Sequence, residues 1–223
     1  MSARGGAPRL DSIFASQRCY KFSSFFYIEN KSNQNVQSLI GPGGKIKIVS
    51  KVMEKMPEIF TSQPILGDDV KFIGRLFGKR DHRFIKRRFL ENNDYLDNYK
   101  LLIPEANNSG KYGETLAEPL LGEPGVATSD TFLNAGPFET RIEAINLSRY
   151  YKTKFFRALL GVRKVTQHSP SQVWKTIPLQ NFHEDSDIKW KAPIPEIDNQ
   201  LYEKYGLDSK EISFIESHVK EMS

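Results

Sequence analysis

Two runs of positive charge are the residues of this sequence with the most chemistry to offer. Arg75, Lys79, Arg80, Arg83, Lys86, Arg87 and Arg88 crowd together, opposed only by Asp81 and with His82 beside them. Lys152, Lys154, Arg157, Arg163 and Lys164 form the second run, with no acid among them. Cations at this density suit phosphate oxygens, a contact that supplies affinity and register without reading bases. Reading sequence takes side chains that pair with base edges, arginine with guanine and asparagine or glutamine with adenine. The loop Asn107-Asn108-Ser109-Gly110-Lys111 and the segment Lys164-Val165-Thr166-Gln167-His168 have that character, each after an apolar stretch. Their plainer reading is a turn and a solvated loop.

Other chemistries find less support. A magnesium nuclease of the Asp…Glu-x-Lys type needs acids to bind the ion and a lysine to help orient water. Glu29-Asn30-Lys31 has the local pattern with Asp11 upstream, yet Ser24 to Asn35 is too polar for a central nuclease strand. His82, His168, His183 and His218 are scattered, none at the spacing of a metal or catalytic pair. Cys19 is the single cysteine, which excludes an intramolecular disulfide and a multi-cysteine zinc site. Gly41-Pro42-Gly43-Gly44-Lys45 is a turn cluster rather than a phosphate loop, since Ile46 stands where a Ser or Thr is required. Methyl transfer to a flipped base takes an Asn/Asp-Pro-Pro-aromatic loop, and the chain has no Pro-Pro pair. No catalytic and no metal-binding residue is assigned to it.

The elements that must position the basic runs are legible in part. Alternation predicts a strand from Val70 through Phe72 into Leu76-Phe77-Gly78. Tyr99 to Ile103 reads as a buried strand stopping at Pro104, and Thr131 to Gly136 as one stopping before Pro137. Ile46 to Val49 reads as a short strand after the glycine turn. Thr140-Arg141-Ile142-Glu143 has capping-box spacing and opens a helix carrying Ile142 and Ile145. A further helix carries the stripe Phe155, Phe156, Leu159, Leu160, with Lys152, Lys154 and Arg157 expected off that stripe. Pro195 falls in the first turn of another, with Ile197, Leu201 and Tyr205 on one face and Gly206 as its end. Asp208 to Glu211 caps a last helix bearing Ile212, Ile215 and Val219. The fold class is α/β (mixed α+β), closed by C-terminal helices.

Charge divides along the chain. The formal total is +5, but residues 184–223 carry ten acids against five lysines, a net of −5, so residues 1–183 carry +10. An excess of that size points to an anionic partner, nucleic acid before an acidic membrane surface. We expect a DNA-recognition domain over 1–183 and an acidic helical segment over 184–223. The segment Met1 to Pro8 has no apolar core and no stretch reaches the roughly 20 apolar residues of a membrane span. The expected location is the cytoplasm.

From Tyr99 on, the order of residues resembles a known family. Tyr99-Lys100-Leu101-Leu102-Ile103-Pro104-Glu105-Ala106-Asn107-Asn108-Ser109-Gly110 is similar to a stretch of adenine-specific DNA methyltransferases of restriction–modification systems. Similarity resumes at Glu114, Thr131-Phe132-Leu133, Gly136-Pro137-Phe138 and Glu143-Ala144, and runs through Tyr151 to Arg157 and Lys164 to His168. It continues at Trp174, Ile177 to Phe182, Ser186 to Trp190 and Ile197 to Tyr202. These blocks resemble the C-terminal target-recognition, TaqI-like specificity region of those enzymes, including forms fused to a nuclease. Glu105 departs from the pattern, standing where the family has lysine, which leaves Asn107 and Asn108 as the better contacts. The first 60 residues match only loosely.

The resemblance implies a domain that holds double-stranded DNA and selects its sequence. No cofactor is then expected in this chain. S-adenosylmethionine, and magnesium where the parent also cleaves, would belong to a separate methyltransferase catalytic domain or subunit, its partner. Lys79, Arg80, Arg83, Lys86, Arg87, Arg88, Lys152, Lys154, Arg157 and Arg163 are the expected phosphate contacts. Asn107, Asn108, Ser109, Lys111, Lys164, Thr166, Gln167 and His168 lie at or near the bases in this reading. Two alternatives stay open, a small magnesium-dependent restriction endonuclease using Glu29 and Lys31, and a protein-assembly module of the same system.

Overall fold

The computed structural model describes residues 8–16, 18–106, 110–163 and 171–222. It is a mixed α/β chain with two small sheets. In chain order the first elements are α1 (Ser24–Glu29), α2 (Gln34–Ser38), α3 (Val52–Lys55), β1 (Val70–Leu76) and β2 (Lys79–Ile85). Then come α4 (Asp94–Asp97), β3 (Tyr99–Pro104), β4 (Leu120–Gly122), β5 (Val126–Thr128) and β6 (Phe132–Phe138). The rest is helical: α5 (Arg141–Lys152), α6 (Lys154–Arg163), α7 (Ser171–Trp174), α8 (Ile194–Tyr205) and α9 (Ser209–His218). Among the described residues no helix is long and apolar enough to cross a membrane.

The chain divides into two compact units. One comprises Ala15–Leu102 and Gly122–Glu139; the other Met1–Phe14, Ile103–Leu121 and Thr140–Ser223. The division does not follow the 183/184 boundary expected from charge, because the acidic helices α8 and α9 pack against α6 within the second unit.

The first unit is built on a sheet of order β2-β1-β5. β1 pairs antiparallel with β2 and parallel with β5, so the Val70, Phe72 and Gly74 row of β1 is buried while Lys71 and Arg75 point outward. Its core draws heavily on the first 60 residues. Phe22 stacks on Phe26 at 4.1 Å, and Phe26 meets the edge of Phe89 at 5.4 Å. Ile46 and Ile48 are buried in that core, but no strand forms at Ile46 to Val49. The alternation suited a strand, yet the Ile46 amide donates to the Tyr27 hydroxyl instead of to a neighbouring strand.

The second sheet has the order β4-β3-β6. Gly122 lies against the buried stem of Lys100, and a β-carbon there would stand 2.7 Å from Lys100 Cγ, so only glycine fits. The Lys100 ammonium, pulled down to about 8 by burial, donates to the carbonyls of Asn98 and Glu123. β6 continues through Pro137 to Phe138, past its expected end. It is an edge strand and Pro137 is exposed, so the missing proline N–H costs no ladder bond.

The second unit is helical. Thr140 Oγ1 accepts from the Glu143 amide and the Glu143 carboxylate accepts from the Thr140 amide, the expected capping box of α5. Asp208 and Glu211 repeat the device at α9. Each such cap contributes about 1 kcal/mol. Gly206, at φ 64°, ends α8 in the left-handed conformation. Tyr150 lies at the centre, edge-on to Phe156 at 5.1 Å, its hydroxyl donating to the Pro178 carbonyl. Trp174 and Trp190 are both buried, as expected of core aromatics.

Candidate nucleic-acid interface

Arg75 to Arg83 of the first basic run lie on a β-hairpin, and Lys86, Arg87 and Arg88 follow its second strand. β2 hides from a pattern search because charge occupies both of its faces near the turn. The strands register Leu76 against Lys79, leaving Phe77 and Gly78 as a two-residue turn with positive φ at both, 49° and 78°. That is the signature of a type I′ turn, whose twist matches the flanking strands. Its geometry is braced twice: Arg75 Nη2 donates to the Gly78 carbonyl at 2.6 Å, and the Phe77 amide donates to Glu54 at 2.6 Å.

Register decides which cations share a face. Lys71, Ile73 and Arg75 lie opposite Phe84, His82 and Arg80, so one face carries Lys71, Arg75, Arg80 and His82, all exposed. Arg75 and Arg80 are directly opposed, a like-charge pair that destabilises the hairpin. The Arg80 guanidinium rests 4.9 Å from the centroid of the Phe132 ring. Among the described residues no carboxylate lies within ion-pair distance of Lys71, Arg75, Lys79 or Arg80.

The remainder of the run is neutralised locally. Arg83 is held by Asp81 at 2.9 Å, and Arg87 by Asp97 at 3.0 Å. Lys86 and Arg88 grip the two oxygens of Glu29 at 2.7 and 2.9 Å. The hydrogen bond from Lys86, with the charge of both cations, holds the Glu29 carboxyl below its ordinary range. Glu29 ends helix α1 and its carboxylate is engaged, an arrangement unlike an ion-binding nuclease strand. Among the described residues no three His, Cys, Asp or Glu side chains are grouped to hold a metal ion.

The second run is placed differently. Arg157 does not lie off the apolar stripe of α6; it is 2% exposed, flanked by buried Phe156 and Ala158. The reason is that α6 packs against α5, α7, α8 and α9, which leaves it little free surface. Burial pulls the Arg157 guanidinium down from its ordinary value, opposed by the Asp198 charge. Asp198, from α8, accepts from the first two amides of α6, Lys154 at 3.0 Å and Phe155 at 2.8 Å, and so complements the helix dipole. Burial pushes its own carboxyl up to about 6, against those hydrogen bonds. Lys154 is paired with Glu216 at 2.6 Å and Lys152 with Glu118 at 2.7 Å. Lys154, Arg157, Asp198, Glu216 and Pro195 border a cleft of about 530 Å³.

Of the expected base-reading residues, Lys111 is exposed in a loop of the second unit. Arg163 closes α6. Asn107, Asn108, Ser109, Lys164, Thr166, Gln167 and His168 lie outside the described residues. Sequence reasoning missed two members of the hairpin surface, Lys71 and Phe77. The dipeptide Phe77-Gly78 at the end of the alternating Val70 to Leu76 segment was the available signal.

No protein-family model matches the chain, no curated protein matches it, and no solved structure matches it.

Proposed function

We propose that this chain is a double-stranded DNA-binding module, the sequence-recognition part of an adenine-specific methyltransferase of a restriction–modification system. The observation that carries the binding reading is the β1–β2 hairpin, a two-stranded ribbon with Lys71, Arg75, Lys79 and Arg80 exposed and unopposed by acid. A ribbon of this width fits the major groove of B-form DNA, where phosphates flank it on both sides. The assignment to a methyltransferase is supported by the ordered residue blocks from Tyr99 to Tyr202. In that reading S-adenosylmethionine and the chemistry reside in a partner catalytic domain, and this chain supplies grip and selection.

Lys79 and Arg80 take phosphates, while Asn107, Asn108, Lys164, Thr166 and Gln167 remain the proposed base readers. The test is binding of the purified chain to a mixed duplex pool at 50 and 200 mM salt, with sequencing of the retained DNA. Enrichment of a short motif, with affinity falling steeply with salt, is the expected result. Salt-dependent binding without enrichment would restrict the role to backbone affinity. No binding at low salt would remove the DNA reading.

A further inference from the structure

The tip of the hairpin presents an aromatic ring that the fold itself does not need. Phe77 is 82% exposed and its ring makes no aromatic contact among the described residues. Its φ of 49° lies in the left-handed region, where a bulky side chain is strained and where type I′ turns favour asparagine or glycine. Folding alone would therefore be better served by another residue at this position. Arg75, Lys79 and Arg80 flank the turn in the strand register, and the turn itself is fixed by Arg75 and Glu54. An apolar plane on a braced turn, with unopposed cations on the strands that lead to it, complements a nucleobase flanked by phosphates.

We infer that Phe77 is a wedge that enters a base step of bound DNA and stacks on the unstacked base, while the neighbouring cations hold the flanking phosphates. Apolar side chains inserted this way unstack a step and bend the duplex, at a cost offset by the added contact. The inference rests on the DNA-binding reading and adds to it a distortion of the duplex at the hairpin tip. A step that is already weakened costs less to open. The chain therefore binds a duplex with one mispaired position more tightly than the fully paired one.

The experiment uses the full chain and matched duplexes carrying 2-aminopurine, either paired or mispaired, with Phe77→Asn, Phe77→Ala and Phe77→Trp compared with the wild type. The wild type is expected to favour the mispaired duplex by roughly tenfold and to raise 2-aminopurine fluorescence as the base unstacks. Phe77→Asn, which suits the turn, melts at or above the wild-type temperature yet brings the two duplexes within about twofold. Phe77→Ala loses the preference as well, and Phe77→Trp keeps it.

If Phe77→Asn retains the full preference while DNA binding stays salt-dependent, the wedge is overturned and the binding reading survives. If the wild type binds neither duplex at low salt, both fall. Phe77-dependent binding to phosphatidylserine-containing vesicles, with no mispair preference, would overturn the wedge in favour of a membrane contact.

Discussion

The tip of the first basic run and the second basic run are similar in sequence and opposite in structure. In the hairpin, Lys71, Arg75, Lys79 and Arg80 face solvent without an acid, and Arg75 even opposes Arg80. In the second run, Arg157 is buried on α6, Lys154 at the start of α6 is paired with Glu216, and Lys152 at the end of α5 with Glu118. The −5 of residues 184–223 is therefore not simply a separate acidic surface, since part of it is spent on the cations of α6. Lys152 and Lys154 of the second run are satisfied within the fold, whereas the cations of the hairpin tip are left to solvent.

The largest effect is expected at Arg157. Arg157→Ala should destabilise the chain by about 2–4 kcal/mol, because it empties a buried position and leaves the Lys152 and Glu114 carbonyls without the donor they have now. Denaturant unfolding measures this, and the variant's salt dependence of DNA binding should stay as in the wild type. An exposed, phosphate-binding Arg157 would give the reverse pattern.

Asp198 sharpens the same point through pH. Its carboxyl titrates at about 6 in the folded chain, above the ordinary 3.8. The native state then holds the proton more tightly than the unfolded state, so the stabilising contribution is complete below about pH 4 and is lost as pH rises through 6. The full difference is on the order of 2–3 kcal/mol. Stability measured from pH 4 to 7 should therefore fall more in the wild type than in Asp198→Asn. Equal slopes would mean that the carboxyl titrates normally.

Hairpin variants should behave in the opposite way. Lys79→Ala with Arg80→Ala should lower the slope of log affinity against log salt by about two, one for each lost phosphate contact. Thermal stability should hold or rise slightly, because the Arg75–Arg80 repulsion is removed. The smallest effect is expected for Lys154→Ala, which loses a partly exposed ion pair with Glu216 and about 0.5–1 kcal/mol in denaturant unfolding.

What was legible in the sequence was local. Thr140 with Glu143 and Asp208 with Glu211 name their helices because a capping box closes within four residues, and Gly206 marks an end for the same reason. The strands β1 and β3 followed from their apolar pattern. Strand β2 did not, since Lys79 to Arg83 has no apolar period and its pairing with β1 is what makes it a strand. The neutralisation of Lys86 and Arg88 depends on Glu29, and the capping of α6 on Asp198, each more than 40 positions away. Burial of Arg157 follows from helices packed around α6, which no local window contains.

The most direct test compares two double variants in one titration. Lys79→Ala/Arg80→Ala and Lys152→Ala/Lys154→Ala would each be bound to the same duplex between 50 and 200 mM salt. The account predicts a shallower salt slope for the hairpin variant and an unchanged slope for the Lys152/Lys154 variant. A loss of slope confined to the Lys152/Lys154 variant would contradict it and move the interface to the second unit.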